Sequence, residues 1–156
     1  MAIAYTVEKF LQTHGIPFDV LKHPHTVTSL KCAEAAHVQG DRLAKAVLLE
    51  DDEGYMVAVL PATHHVKLGK LRSQTGRSIR MATEDEIAEL FRDCEKGAIP
   101  ALGTAYGIET VWDDSLMAQS DIYFEAGDHE ELIHMNRQHF QEAMGAALHC
   151  QFSTPT

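Results

Sequence analysis

The stretch GDRLAKAVLLEDD, residues 40–52, sets a lysine at the head of an apolar run. In a strand, Lys45 shares one face with Val47 and Leu49, while Ala44, Ala46 and Leu48 take the other. Lysines are almost never fully buried without a partner. Lys45 therefore either runs its stem along apolar surface and keeps its ammonium at the rim, or ends in a pocket. In a partly dry cleft it would be a fixed positive charge suited to an anionic substrate or a developing oxyanion.

A second stretch, GAIPALG from Gly97 to Gly103, holds two glycines and a proline. Such a loop lets the backbone approach a ligand closely, and its N–H groups could donate to an oxyanion. A plain helix-to-strand connection accounts for the same residues. The ten histidines include His23 with His25, His64 with His65, and His129 with His134. None has the H-E-x-x-H spacing of a catalytic zinc helix, and no C-x-x-C pair accompanies them. They read as surface or pocket-rim residues, and no metal or cofactor is expected. Cys32, Cys94 and Cys150 are odd in number and far apart, which fits reduced thiols in a cytoplasmic protein.

The surrounding pattern must position these groups. TVEKFLQTHG reads as a helix capped by Thr6, with Val7, Phe10 and Leu11 as its stripe and Gly15 as its stop. PFDVLKH reads as a strand, and SLKCAEAAHV as a short helix capped by Thr28 or Ser29. Residues 45–50 and 55–60 form a hairpin across the acidic turn Asp51–Gly54. They are apolar on both faces, so they should lie centrally in the sheet. HHVKLGKLRSQTG reads as helical to Gly76, RSIRMA as a strand, and TEDEIAELF as a helix with the capping box Thr83 and Glu86. ETVWDD, DIYFEA and ELIHM read as strands, and NRQHFQEAMG as a closing helix. The order predicts an α+β fold, a mixed sheet with helices against it. One domain is expected over residues 1–150, with a frayed tail at 151–156.

Composition fits this: 156 residues, 45% apolar and 23% charged, is ordinary for a globular chain. No window is apolar enough to span a membrane, and the first residues do not pattern as a signal peptide. The net charge of −10 is unevenly spread, with +2 over residues 31–80 and −12 over residues 81–156. A phosphate-binding surface would therefore draw on the middle segment, where Lys31, Arg42, Lys67, Lys70, Arg72, Arg77 and Arg80 stand around Lys45 in sequence.

Taken in order, GIPFDVLKHP, LAKAVLL, GAIPALG and YFEAGDHEELIHM resemble the YbaK/ProX family of aminoacyl-tRNA deacylases, domains similar to the editing insertion of bacterial prolyl-tRNA synthetases. The likeness runs over roughly residues 15–145. It implies a curved, mixed, largely antiparallel central sheet surrounded by helices. It also implies hydrolysis of the ester between a wrong small amino acid and the terminal adenosine of a tRNA, proline tRNA first. Aminoacyl-tRNA would be the partner, with a synthetase as a further one, and neither DNA nor membrane. By the same resemblance Lys45 matches the functional lysine. Gly97, Ala98, Ile99, Pro100 and Ala101, with Gly103 beyond them, match the loop that meets the substrate. Gly127 and His129 match the turn lining the same pocket. Lys31, Arg42, Lys67, Lys70 and Arg72 become candidates for tRNA contact. One departure stands out: the family loop carries proline where this chain has Ala101, and here the proline is Pro100. Alanine frees φ and adds a backbone donor.

An aminoacyl ester is already activated, so hydrolysis needs a placed water and a stabilised oxyanion more than a protein nucleophile. Lys45 would act by charge and position, since an unperturbed lysine, at a pKa of about 10.4, stays protonated at neutral pH. A reading of another class is a module that binds aminoacyl-adenosine or tRNA without turnover.

Overall fold

A computed structural model describes residues 3–156. The first helix, α1 (Tyr5–Thr13), turns Val7 and Leu11 into the core. Ala4 occupies its N-cap, not Thr6, and caps nothing with its side chain. The Thr6 N–H is satisfied instead by the Asp93 carboxylate at 2.9 Å, a partner 87 residues away that no local pattern announces. β1 (Asp19–Lys22) precedes α2 (Ser29–Ala35), whose N-cap is Thr28, accepting from the Lys31 N–H.

The hairpin forms as read, over β2 (Leu43–Asp51) and β3 (Gly54–Pro61), one or two residues longer at each end than the apolar runs. Asp51 accepts from the N–H groups of Glu53 and Gly54 and so closes the turn. There follow β4 (His64–Val66), α3 (Leu68–Thr75), β5 (Arg80–Met81) and α4 (Glu84–Leu90). The helix expected from His64 starts only at Leu68, because residues 64–66 are drawn into strand pairing. The Thr83–Glu86 capping box is present in full. β6 (Glu109–Asp113), β7 (Asp121–Glu125), β8 (Glu131–Asn136), α5 (Arg137–Met144), β9 (Leu148–Cys150) and β10 (Ser153–Pro155) complete the chain.

The main sheet has eight strands in the order β1-β8-β7-β2-β3-β6-β9, with β5 added on β2. It is mixed, with four antiparallel ladders and three parallel ones. β2 and β3 lie at its centre, as their two apolar faces require. On one face Ala44, Leu48, Val57 and Val59 meet Val7 and Leu11 of α1 and Phe140, Ala143 and Met144 of α5. On the other face two smaller clusters form. One joins Leu49 and Leu60 to Leu71 of α3. The other joins Leu43 and Ala62 to Cys32 and Ala33 of α2. Lys45 stands on this second face, between the two clusters.

The chain end departs from the frayed tail that its composition suggested. Phe152 is fully buried, and β10 pairs with β4 in a separate two-stranded sheet. Burying one such ring stabilises by about 2 kcal/mol. The buried Asp113 carboxylate accepts the N–H groups of Phe152 at 2.8 Å and Ser153 at 3.0 Å, which fixes where the strand begins.

Candidate active site

Lys45 follows Leu43 and Ala44, the two β2 residues that pair in parallel with Tyr123 and Phe124 of β7. Alternation puts its side chain on the face of Leu43 and Leu49. The side chain is half-buried, and Nζ donates to the Ala62 carbonyl at 3.4 Å. Among the described residues it forms no ion pair. Burial lowers its pKa from the ordinary lysine value. The ammonium is thus partly covered, with one backbone oxygen in reach. A neutral carbonyl at that distance is a weak partner and leaves most of the ammonium's donor capacity free.

The loop after α4 runs from one face of the sheet to the other. Gly97 has φ of +82°, and a Cβ there would sit 3.5 Å from the His129 ring. Ile99, Ala101 and Leu102 pack into the opposite core with α1 and α5. Ala98 and Pro100 are buried beside them. The Ala98 N–H is spent on the Glu95 carbonyl. Among the described residues the N–H groups of Ile99 and Ala101 have no protein acceptor. Ala101 thus carries a donor that the described fold does not use.

Gly103 and Gly127 serve packing. A Cβ on Gly103 would meet Thr110 Oγ1 at 2.5 Å and Val57 Cβ at 2.8 Å, so glycine lets the loop press against β3 and β6. Gly127 has φ of +121°, faces Ala4 and Cys94, and accepts the Glu95 N–H at 2.7 Å. That bond anchors the segment leading into Gly97. His129 also holds positive φ, +62°. Its ring is buried, with Nε2 against the Lys96 carbonyl at 2.5 Å and Nδ1 3.4 Å from Glu125. His129 and Gly97 therefore meet directly, whereas Gly103 and Gly127 hold the loop from behind.

Glu125, His23 and Cys32 complete a buried polar group that the pattern reading missed. Glu125 ends β7 on the face of Lys45, one strand over. Burial raises its pKa to about 7, with His129 pulling the other way. His23 is buried too, against the expectation of rim histidines, and Cys32 Sγ lies 3.2 Å from its Nε2. One signal was available: Glu125 is an acid set between Phe124 and Ala126 at the end of the apolar run of DIYFEA, on the face those neighbours do not share.

The basic candidates divide. Lys31 on α2, Lys67 at the N-cap of α3 and Lys70 on α3 are exposed, and both helices cover the Lys45 face. Arg42 is half-buried just before β2, and Arg72 uses its Nε on the Ile79 carbonyl. Arg77 and Arg80 are taken up by acids, Arg77 with Asp51 and Glu109, Arg80 with Glu50 and Asp52. The cationic surface is smaller than the sequence count suggested.

The architecture is a mixed sheet flanked by helices, with Lys45 half-buried near the start of a central strand. Residues 23–143 match the profile of the aminoacyl-tRNA editing domain, and the chain belongs to that family. Solved structures of the same fold include a candidate trans-editing enzyme for prolyl tRNA synthetase, at 21% identity and TM-score 0.84, covering 97% of this chain and 96% of that one. A hypothetical protein matches at 22% identity and TM-score 0.84, over 96% and 99% of the two chains. A third, from Marinobacter aquaeolei VT8 and described as a candidate signal transduction protein, matches at 19% identity and TM-score 0.81, over 98% of this chain and 31% of that one. At these identities the likeness shows the fold. No curated protein matches the chain. Among the described residues no helix is long and apolar enough to cross a membrane.

Proposed function

We propose that the protein is a trans-acting aminoacyl-tRNA deacylase that hydrolyses the ester of a small mischarged amino acid, proline tRNA being the first candidate. The observation that carries this reading is Lys45, a half-buried cation that forms no ion pair among the described residues. Family membership supports the ester as substrate.

In the proposed reaction a water attacks the ester carbonyl carbon, and the carbonyl oxygen takes up the negative charge. The Lys45 ammonium stabilises that oxyanion. The C–O bond to the ribose then breaks, and the ribose oxygen leaves with a proton that came from the water. The products are the free amino acid and the tRNA with its terminal hydroxyl. No protein nucleophile is required. One preorganised donor in such a site is worth about 10² to 10³ in rate. Exposed Lys31, Lys67 and Lys70, with Arg42 and Arg72 nearer the fold, would meet the phosphates.

The test is a deacylation panel. Wild type and Lys45→Ala are each given tRNAs charged with alanine, cysteine, serine, threonine and proline. Hydrolysis of one ester by wild type, lost in the variant, supports the reading and names the amino acid. A folded wild type that binds these tRNAs and hydrolyses none of them would instead make the domain a binding module.

A further inference from the structure

Four buried side chains from distant parts of the chain converge beneath the loop: His23 after β1, Cys32 in α2, Glu125 at the end of β7 and His129 in the turn before β8. None is more than 7% exposed. We propose that His23, Cys32 and Glu125 form a zinc-binding centre, with His129 supporting Glu125 from outside it.

Three observations carry this. First, the donor atoms are clustered. The ligand atoms of His23, Cys32 and Glu125 all lie within 4.8 Å of one another. Cys32 Sγ is 3.2 Å from His23 Nε2. Ligands bound at 2.0–2.3 Å around a tetrahedral ion are about 3.3 to 3.8 Å apart, so this edge is close to the size of a zinc site.

Second, His23 is held in the tautomer that a metal needs, and His129 is fixed against Glu125. His23 Nδ1–H donates to the Pro24 carbonyl at 2.8 Å, which leaves the Nε2 lone pair facing Cys32. His129 Nε2–H donates to the Lys96 carbonyl, which leaves the Nδ1 lone pair facing Glu125. A backbone carbonyl on the far nitrogen is the usual outer support of a metal-bound histidine.

Third, the group is unsatisfied as a hydrogen-bonding network. Glu125 Oε1 and His129 Nδ1 are buried without a hydrogen-bond partner. Such orphaned atoms cost about 1 to 3 kcal/mol each. An ion accepting the Glu125 lone pair removes the cost at that atom. One imidazole, one thiolate and one carboxylate make a mixed N, S and O set, which favours zinc over magnesium or calcium. Binding would displace the thiol proton of Cys32, and that of Glu125 where it is protonated, to solvent. His23 also lines an open surface pocket with Lys22, Glu130 and Glu131, two of them acids, which offers a cation a way in.

The centre is structural in this account. It would clamp α2 and the end of β7 to the turn that carries His129, and through His129 it would set the position of Gly97. It does not enter the hydrolytic step, so it stands or falls apart from that proposal.

The experiment uses untagged full-length protein incubated with zinc, then freed of loosely held metal by gel filtration. Metal analysis should find about one zinc per chain in wild type and a small fraction of that in Cys32→Ser. Cobalt(II) should give a thiolate-to-cobalt charge-transfer band in wild type that Cys32→Ser lacks. Zinc should raise the Tm of wild type and leave Cys32→Ser unmoved. His23→Gln serves as a second variant if Cys32→Ser does not fold, with the same expected loss of zinc. Wild type without retained zinc, or equal zinc in wild type and variants with no thiolate band, overturns the proposal.

Discussion

Lys45 Nζ and the Ala62 carbonyl lie 3.4 Å apart, and this neutral oxygen is the partner the described chain gives the ammonium. Burial lowers the lysine's pKa, so its charge is lost at lower pH than that of a solvated lysine, about 10.4. Enzyme-dependent deacylation, corrected for spontaneous hydrolysis, should therefore fall on an alkaline limb below that value. Lys45→Arg should move the limb out of the accessible range, since arginine does not deprotonate. The sign for stability is the reverse of a salt-bridged lysine. The cost of burying the charge is present below the folded-state pKa and is relieved as pH rises toward the unfolded value. A pH profile of initial rates for the two proteins checks the first point. An unchanged limb in Lys45→Arg would assign it to another group.

Gly97→Ala should impair the loop more than its size suggests. At φ of +82° an L-residue is strained, and the added methyl would touch the His129 ring at 3.5 Å. The backbone cost is about 1 kcal/mol. The expected result is a modest fall in Tm with a fall in kcat of tenfold or more. Measuring both on one preparation separates misplacement of the loop from general loss of fold.

Asp113→Ala should destabilise without touching catalysis. The carboxylate accepts from Ser115, Phe152 and Ser153, and removing it strands buried N–H groups. A cost of about 2 to 4 kcal/mol is expected, read from urea unfolding. Burial raises the Asp113 pKa, but the hydrogen bonds from Ser115, Phe152 and Ser153 outweigh it, and the net shift is downward. Its contribution is therefore present above the unfolded pKa, about 3.9, and is lost as pH falls through the lower folded value. The wild-type advantage over Asp113→Ala should shrink on acidification.

Salt dependence should sort the basic residues. Lys31→Ala, Lys67→Ala and Lys70→Ala should each reduce the slope of log K for tRNA against log salt by about 1. Arg77→Ala should leave it unchanged, because that guanidinium is already paired with Asp51 and Glu109. Equal effects of all four substitutions would count against direct contact by the lysine-bearing helices.

The central hairpin, the capping box of α4 and the face chosen by Lys45 were legible in the sequence, because each depends on neighbours a few residues apart. The tail was not. Pairing of Ser153 with Val66 and capture of Phe152 by Asp113 are contacts between distant segments, and CQFSTPT carries no pattern that names its partner. The Thr6 cap failed for the same reason, since Asp93 supplies the acceptor from another part of the chain. At the site, Lys45 and the glycine loop were found from residue type. Glu125, Cys32 and His23 escaped because their meeting depends on three elements folding together.

The loop that straddles the sheet has a consequence for how such a domain can diversify. Gly97 meets His129 on one side, while Ile99, Ala101 and Leu102 are wedged among α1 and α5 on the other. Substitutions at Val7, Leu11 or Met144, none of them near Lys45, can shift the wedge and with it the mouth of the cleft. Selectivity among amino acids is then open to drift through interior positions, and two descendants could part ways in substrate while keeping every residue at the cleft identical.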